Sequence, residues 1–294
     1  MTDQPTNGPK LKVCKKLSEL TVVIPSYNYG CFLAECIQSI LDQSVQPAGI
    51  LVMDDGSTDN TAEVAASFGN AIDYRQCPHR GVAKTRNAAL PLIQTEWYMN
   101  LDADNLLGSG FIEYLSEILS DNQENEKLGF IYPKRMFFGD EQREIIPPEF
   151  DPYTMQLGQG LDMNAVLRTR VVRKVGFDPA FAQGMADLDL FAGMIRRGWV
   201  GKRNLDLCVF YRVHSNSITA NGYRSCIKYR QFKKLVHKYR KDADPALVRK
   251  VISVKKVKLI STVINQRSGE ATFRQRLREC IYFFKINTFH PQAM

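Results

Sequence analysis

Apolar and polar positions along the chain fall into blocks whose period switches between about two and about four, and the blocks predict alternating strands and helices. Leu20-Thr-Val-Val-Ile-Pro25 is a short β-branched run stopped by proline, the pattern of a buried strand. Phe32, Leu33, Cys36, Ile37, Ile40 and Leu41 recur in pairs four apart and mark one face of a helix. Residues 50–53 form a second apolar strand, followed by a helix that Thr58 or Asp59 can cap and that runs to about Phe68. Residues 72–76 read as a weak strand, 81–93 as a helix, 97–101 as a strand ending at Asp102, and 111–119 as a further helix. An irregular stretch rich in proline and glycine covers 139–162. Beyond it, helices are predicted at 168–175 and 189–197, each stopped by a glycine, and a strand at 207–213.

Strands alternating with helices at this spacing predict βαβ units, hence an α/β fold with a mostly parallel sheet flanked by helices. In such sheets ligands lie beyond the carboxyl ends of the strands. That rule selects Ser26-Tyr27-Asn28, Asp54-Asp55-Gly56, residues 77–81 and Asp102-Ala103-Asp104 for inspection.

Composition excludes several classes. With 44% hydrophobic, 10% aromatic and 24% charged residues in 294, the chain is neither disordered, collagenous nor a small disulfide scaffold. Its seven cysteines are odd in number, scattered and without a CxxC pair, which points to reduced thiols. No apolar run approaches the roughly 18 residues of a membrane span, so a soluble cytoplasmic chain is expected. The net charge of +8 is unevenly spread: residues 221–294 hold 18 basic and 4 acidic side chains, and residues 1–220 hold 21 and 27. We therefore divide the chain into a basic leader (1–19, with Lys10, Lys12, Lys15 and Lys16), a catalytic or binding domain (20–220) and a basic tail (221–294).

Asp102 and Asp104 are the sharpest chemical feature. Carboxylates two apart where a strand breaks into a turn can reach one small volume, and paired hard oxygens suit Mg2+ or Mn2+ shared with a substrate's phosphates. Asp54 and Asp55 also end a strand. Capping explains Ser57 to Asp59, but two adjacent carboxylates exceed what a cap needs. One of them can accept a hydrogen bond from a pyrimidine N3–H while Tyr27 offers a ring for stacking. P-loop and GxGxxG patterns are absent, which argues against ATPases and dinucleotide enzymes.

At this point the chain resembles the family 2 glycosyltransferases of the GT-A fold. The resemblance rests on Thr21-Val-Val-Ile-Pro-Ser-Tyr-Asn28, Val52-Met-Asp-Asp-Gly-Ser-Thr-Asp59, Gly81-Val-Ala-Lys-Thr-Arg-Asn87, Leu101-Asp-Ala-Asp104, and Gly176-Phe-Asp-Pro-Ala-Phe181 followed by Gly184-Met-Ala-Asp-Leu-Asp-Leu190. It implies transfer of a sugar, with inversion, from a nucleotide diphosphate donor, most simply a UDP-sugar, to a hydroxyl of a glycan or lipid-linked acceptor in polysaccharide biosynthesis. It further implies that Pro25, Ser26 and Tyr27 line the nucleoside pocket, that Asp55 pairs with the base and that Arg86 lies beside that pocket. Asp102 would contact the ribose or the ion's water shell, and Asp104 would hold the metal. His214, within Tyr211-Arg212-Val-His214, would touch the metal or diphosphate, with Arg212 offsetting phosphate charge. The family's general base is the aspartate of a Glu-Asp pair; here Asp187 matches it, while Ala186 replaces the glutamate. Asp189 is the alternative, although a first-turn carboxylate is also favoured there by the helix dipole.

The tail from Tyr223 onward reads as three helices and lies outside the resemblance. Phe273, Leu277, Cys280, Ile281 and Phe284 share a face bordered by Arg274, Arg276, Arg278 and Lys285, which suits an anionic membrane surface or packing on the core. No nucleic-acid-binding pattern accompanies the charge. Two other functions fit the same residues: a non-catalytic nucleotide-sugar-binding relative, given Ala186, and a nucleotidyltransferase, which would release pyrophosphate.

Overall fold

A computed structural model describes residues 15–155, 161–182, 184–214, 231, 234–235 and 237–239. In chain order the elements are β1 (Lys15–Ser26), α1 (Gly30–Leu41), β2 (Val45–Asp54), α2 (Thr61–Ser67), β3 (Asp73–Gln76), α3 (Val82–Ala89), β4 (Trp97–Asn100), β5 (Leu106–Leu107), α4 (Phe111–Asp121), β6 (Leu128–Gly139), β7 (Arg143–Ile145), α5 (Pro152–Met155), β8 (Val166–Arg168), α6 (Thr169–Val175), α7 (Ala186–Arg196) and β9 (Val200–Val213).

The strands form one sheet in the order β3-β2-β1-β4-β8-β6-β9-β5, with β7 paired to β6. The first four are parallel, as the βαβ alternation predicts. The other half is mixed: β8 runs antiparallel to β4 and β6, β6 is parallel to β9, and β5 and β7 run antiparallel to β9 and β6. Two apolar layers cover the sheet. Leu20, Val22 and Ile24 pack with Leu33, Ile37 and Ile40 of α1 and Phe111 and Leu115 of α4 on one face. Val23 and Tyr98 pack with Ala83 of α3, Val171 of α6 and Phe191 of α7 on the other. The fold is thus three layers, and burial of both faces explains why the parallel strands read as continuous apolar runs.

The hydrophobic pattern leaves out β5, β6, β7, β8 and the first half of β9. β6 contains Pro133, which cannot donate to the ladder, and the register against β9 slips between Pro133 and Lys134. On β9 the skipped residues 205–207 are turned by Asn204 Oδ1, which accepts from the backbone N–H groups of Asp206 and Leu207. The polar first half of β9 hides its strand character for the same reason. β7 lies inside the stretch read as irregular, where it pairs back onto β6. At the start of the chain, Lys15 and Lys16, counted with the leader, already pair with Val45 and Gln46 of β2. Most of the tail falls outside the described residues, including the 273–284 face. Its described part docks: Leu235 is buried in the layer of α7, Tyr239 Oη donates to Asp189 Oδ1 at 3.0 Å, and Lys238 Nζ lies 2.8 Å from Asp189 Oδ1 and 2.9 Å from Asp178 Oδ2.

Packing between β6 and β9 is close enough to require a glycine. A Cβ at Gly201 would stand 2.2 Å from Cε2 of the fully buried Phe130 ring. Gly201→Ala is expected to lower unfolding free energy by about 1–3 kcal/mol, the usual cost of overpacking. Urea denaturation checks this; an unchanged midpoint would mean that the ring relaxes freely.

Candidate active site

The carboxyl ends of β1, β2, β3 and β4 lie side by side, because the register pairs Ser26 with Asp54, Asp54 with Gln76, and Val23 with Asn100. Each strand therefore delivers its next residues to one rim: Tyr27, Asp55, residues 77–81, and Asp102. The fourth wall comes from β9. β5 follows directly on Asp104-Asn105 and pairs antiparallel with β9, so the end of β9 returns beside the acidic turn. Asn105 Oδ1 accepts from the Arg212 N–H at 2.9 Å, and His214 Nε2 lies 3.1 Å from Asp104 Oδ2.

The four rim carboxylates meet different surroundings. Asp54 is fully buried. Its Oδ1 accepts from Ser57 N–H (2.8 Å) and Oγ (2.6 Å), and its Oδ2 from Tyr74 Oη (2.6 Å) and Gln76 Nε2 (3.3 Å), so it holds the turn and has no reach to a ligand. Asp55, also buried, accepts from the Arg80 N–H at Oδ1 and the Gly81 N–H at Oδ2, both at 2.8 Å, and His79 Nδ1 lies 2.9 Å from Oδ2. The expected base partner is thus positioned by backbone, with a histidine against it that sequence reasoning missed. The His79 ring stacks on Tyr27, with centroids 4.0 Å apart and planes at 24°. Asp102 Oδ1 accepts from Arg86 Nη2 at 2.7 Å, a pair in which the arginine is buried and the aspartate about one-third exposed. Asp104 has His214 Nε2 beside its Oδ2, and its pKa is pushed up to about 6, first by burial and then by the neighbouring charge of Asp102.

The remaining expected residues can be placed as well. Pro25 and Ser26 are buried at the end of β1, and Ser26 Oγ finds no partner among the described residues. Arg212, expected to offset phosphate charge, is engaged within the protein. Its guanidinium sits between the Phe32 and Phe138 rings, with Nε donating to the Asp104 carbonyl and Nη2 paired with Glu35. Asp187 stands in the first turn of α7, where Oδ1 accepts from the Leu188 N–H at 2.9 Å. The segment leading to it is docked on α3: Asn87 Oδ1 accepts from the Phe177 N–H at 2.9 Å and Asn87 Nδ2 donates to the Phe177 carbonyl at 2.7 Å. Asp189 is buried against Lys238 and Tyr239, a structural anchor. Ala186 lies inside the apolar layer.

The sequence profile described as Glycosyl transferase family 2 matches residues 21–178. The chain belongs to the family 2 glycosyltransferases. Among relatives, it is 31% identical over 121 residues to Glycosyltransferase GlyG of Streptococcus pneumoniae serotype 4, covering 40% of this chain and 40% of that protein. It is 33% identical over 106 residues to Chondroitin synthase of Pasteurella multocida, covering 35% of this chain and 11% of that protein. The chain spans less than half the length of these curated relatives. Among solved structures, S. aureus TarS 1-349 in complex with UDP-GlcNAc superposes with a TM-score of 0.59 at 16% identity, over 94% of this chain and 76% of that chain. Mannosyltransferase PcManGT from Pyrobaculum calidifontis, in complex with GDP-Man and Mn2+, superposes with a TM-score of 0.57 at 15% identity, over 93% of this chain and 81% of that one. Together with the family match, these neighbours identify the sheet as a GT-A fold.

Among the described residues no three His, Cys, Asp or Glu side chains form a metal cage. The donor set nevertheless fits a hard divalent ion, which is commonly held by one or two carboxylates and completed by substrate phosphates. The raised pKa of Asp104 marks a carboxylate whose charge lacks compensation. The sign of its effect on stability follows. Below about pH 4 the carboxyl is protonated in both folded and unfolded chains and costs nothing. As pH rises from 4 to 6 the unfolded chain ionises more readily, so stability falls, and the loss is complete above about 6. Asp104→Asn is therefore expected to raise Tm relative to the parent in metal-free buffer at pH 7.5 and not at pH 4. A gain of equal size at both pH values would refute the assignment.

Proposed function

We propose that the protein is an inverting glycosyltransferase that moves a sugar from a nucleoside diphosphate donor, in the first instance a UDP-sugar, to a hydroxyl of a glycan or lipid-linked acceptor. The observation that carries this reading is the convergence of Tyr27, Asp55, Arg86, Asp102, Asp104 and His214 at the carboxyl edge of the parallel strands. It is supported by relatives whose names describe glycosyltransferases and a chondroitin synthase, and by fold neighbours bound to UDP-GlcNAc or to GDP-Man with Mn2+. The chondroitin synthase likeness favours a role in polysaccharide assembly.

In this reading Tyr27 and Asp55 take the base, and Pro25 and Ser26 close the nucleoside pocket. Asp104, with His214 beside it, would hold a divalent cation, Mn2+ or Mg2+, and Asp102 would face the ribose or the ion's water shell while Arg86 fixes its orientation. Bound there, the ion supplies positive charge to the diphosphate as the bond to the sugar breaks. Asp187 accepts the acceptor hydroxyl's proton as that oxygen attacks C1 from the face opposite the leaving group. The acceptor oxygen–C1 bond forms, the C1–phosphate oxygen bond breaks with its electron pair, and the nucleoside diphosphate leaves with inversion. No helix among the described residues is long and apolar enough to cross a membrane; a lipid-linked acceptor would be met at a surface, where the basic tail is suited to anionic headgroups.

Nucleoside diphosphate release with Mn2+, measured across a panel of sugar nucleotides and acceptors, tests the reaction class. Release of pyrophosphate instead would make the protein a nucleotidyltransferase, and tight donor binding without turnover would make it a non-catalytic binder. Asp187→Asn is expected to lower kcat by roughly 10²–10⁴-fold, the usual contribution of a general base, with donor affinity unchanged. Equal rates would remove Asp187 from the mechanism.

A further inference from the structure

The position of His79 has a consequence for donor binding that rests on the donor-site reading above. We infer that His79 is a built-in occupant of the nucleobase seat, which the base of a donor must displace. Two features define that seat: the face of Tyr27, for stacking, and the Asp55 carboxylate, for an N–H. The imidazole of His79 takes both at once. Its ring lies 4.0 Å from Tyr27 at 24°, and its Nδ1 is 2.9 Å from Asp55 Oδ2. A flat heterocycle with one ring face on a phenol and one N–H aimed at a carboxylate presents what a pyrimidine would present. Base and imidazole therefore compete for the same atoms.

The loop is built so that the imidazole can leave without the seat collapsing. Asp55 keeps its two backbone donors, Arg80 N–H and Gly81 N–H, when His79 departs, so the carboxylate stays aimed. The His79 backbone is pinned: Gly56, at φ +76°, passes so close that a Cβ there would stand 2.8 Å from His79 N. The His79 side chain is 54% exposed, leaving its outer side open to solvent. Exit is then a side-chain rotation into water, a fast motion of an exposed group. While the imidazole is seated the site is not competent, so apparent donor affinity is reduced by the fraction of time it is absent from Tyr27. Affinity therefore contains a fixed tax set by one residue.

The test is calorimetric titration of UDP, and in parallel GDP, into the full chain with Mn2+, for wild type, His79→Ala, Tyr27→Ala and the double variant. His79→Ala is expected to tighten UDP binding about three- to tenfold, the range that one aromatic stacking contact is worth. Tyr27→Ala is expected to weaken UDP and to reduce the gain from His79→Ala, because the imidazole is then held at Asp55 alone. Unchanged or weaker UDP binding in His79→Ala, with Tyr27→Ala still weakening it, overturns the inference and leaves the donor site standing. Failure of both nucleotides to bind any form overturns the donor-site reading and this inference with it. A crystal of the UDP complex with His79 still stacked on Tyr27 also overturns it.

Discussion

Four aspartates converge on the carboxyl edge of the parallel strands, and the cost of gathering that negative charge organises the rest of the rim. Burial disfavours an ionised carboxylate unless hydrogen bonds or opposite charge compensate it. Asp54 is compensated by hydroxyl, amide and backbone donors, Asp55 by two backbone N–H groups and His79, and Asp102 by the buried Arg86. Asp104 rests on one histidine beside Asp102, and burial together with the charge of Asp102 drives it toward its neutral form. Three charges are thus answered from within the chain.

That asymmetry follows from topology. A parallel sheet brings successive strand ends together, so loops after β1, β2 and β4 must meet, and a turn after β2 can borrow donors from the loop after β3. The turn after β4 meets on its outer side an acceptor, Asn164 Oδ1 from the segment before β8, which accepts from the Asp102 N–H and Asn105 Nδ2. The turn is closed by β5 pairing with β9, which supplies Arg212 and His214 from more than a hundred residues away. Arg212 spends its donors on backbone and Glu35, and its flat faces on two aromatic rings, so it braces the turn without neutralising the Asp104 carboxylate.

Local pattern made the parallel half legible, because strands buried on both faces leave unmistakable apolar runs and their helices carry four-residue periodicity. The mixed half was not. β6 looks unlike a strand because Pro133 and Lys134-Arg135 interrupt it, yet a register slip absorbs the proline. In the site, the carboxylates were visible as strand-end pairs, whereas their division of labour was not. That Asp54 is a buried brace and Asp55 a positioned acceptor depends on Tyr74, Gln76, Arg80 and Gly81, whose hydrogen bonds no spacing rule reveals. His79 was overlooked for a similar reason: a single histidine in a five-residue loop has no pattern of its own. The placement of that loop beyond β3, among the strand ends already singled out, was the one available signal.

The absence of a glutamate before Asp187 acquires a physical meaning from packing. Position 186 opens α7 inside the apolar layer, where an alanine is accommodated without the desolvation that an ionised side chain would suffer. The aspartate after it is therefore located by backbone rather than by an adjacent carboxylate. Its segment is held at one end by the two hydrogen bonds between Asn87 and Phe177, which tie it to the helix carrying Arg86. At the other end Lys238 bridges Asp178 and Asp189, on either side of Asp187, and lies 5.1 Å from the Phe181 ring between them. A residue of the basic tail thus braces the stretch that carries Asp187. The charge segregation that set the tail apart in the sequence has a structural use at this point, since a lysine from beyond the family match anchors the carboxylate-bearing segment to the fold.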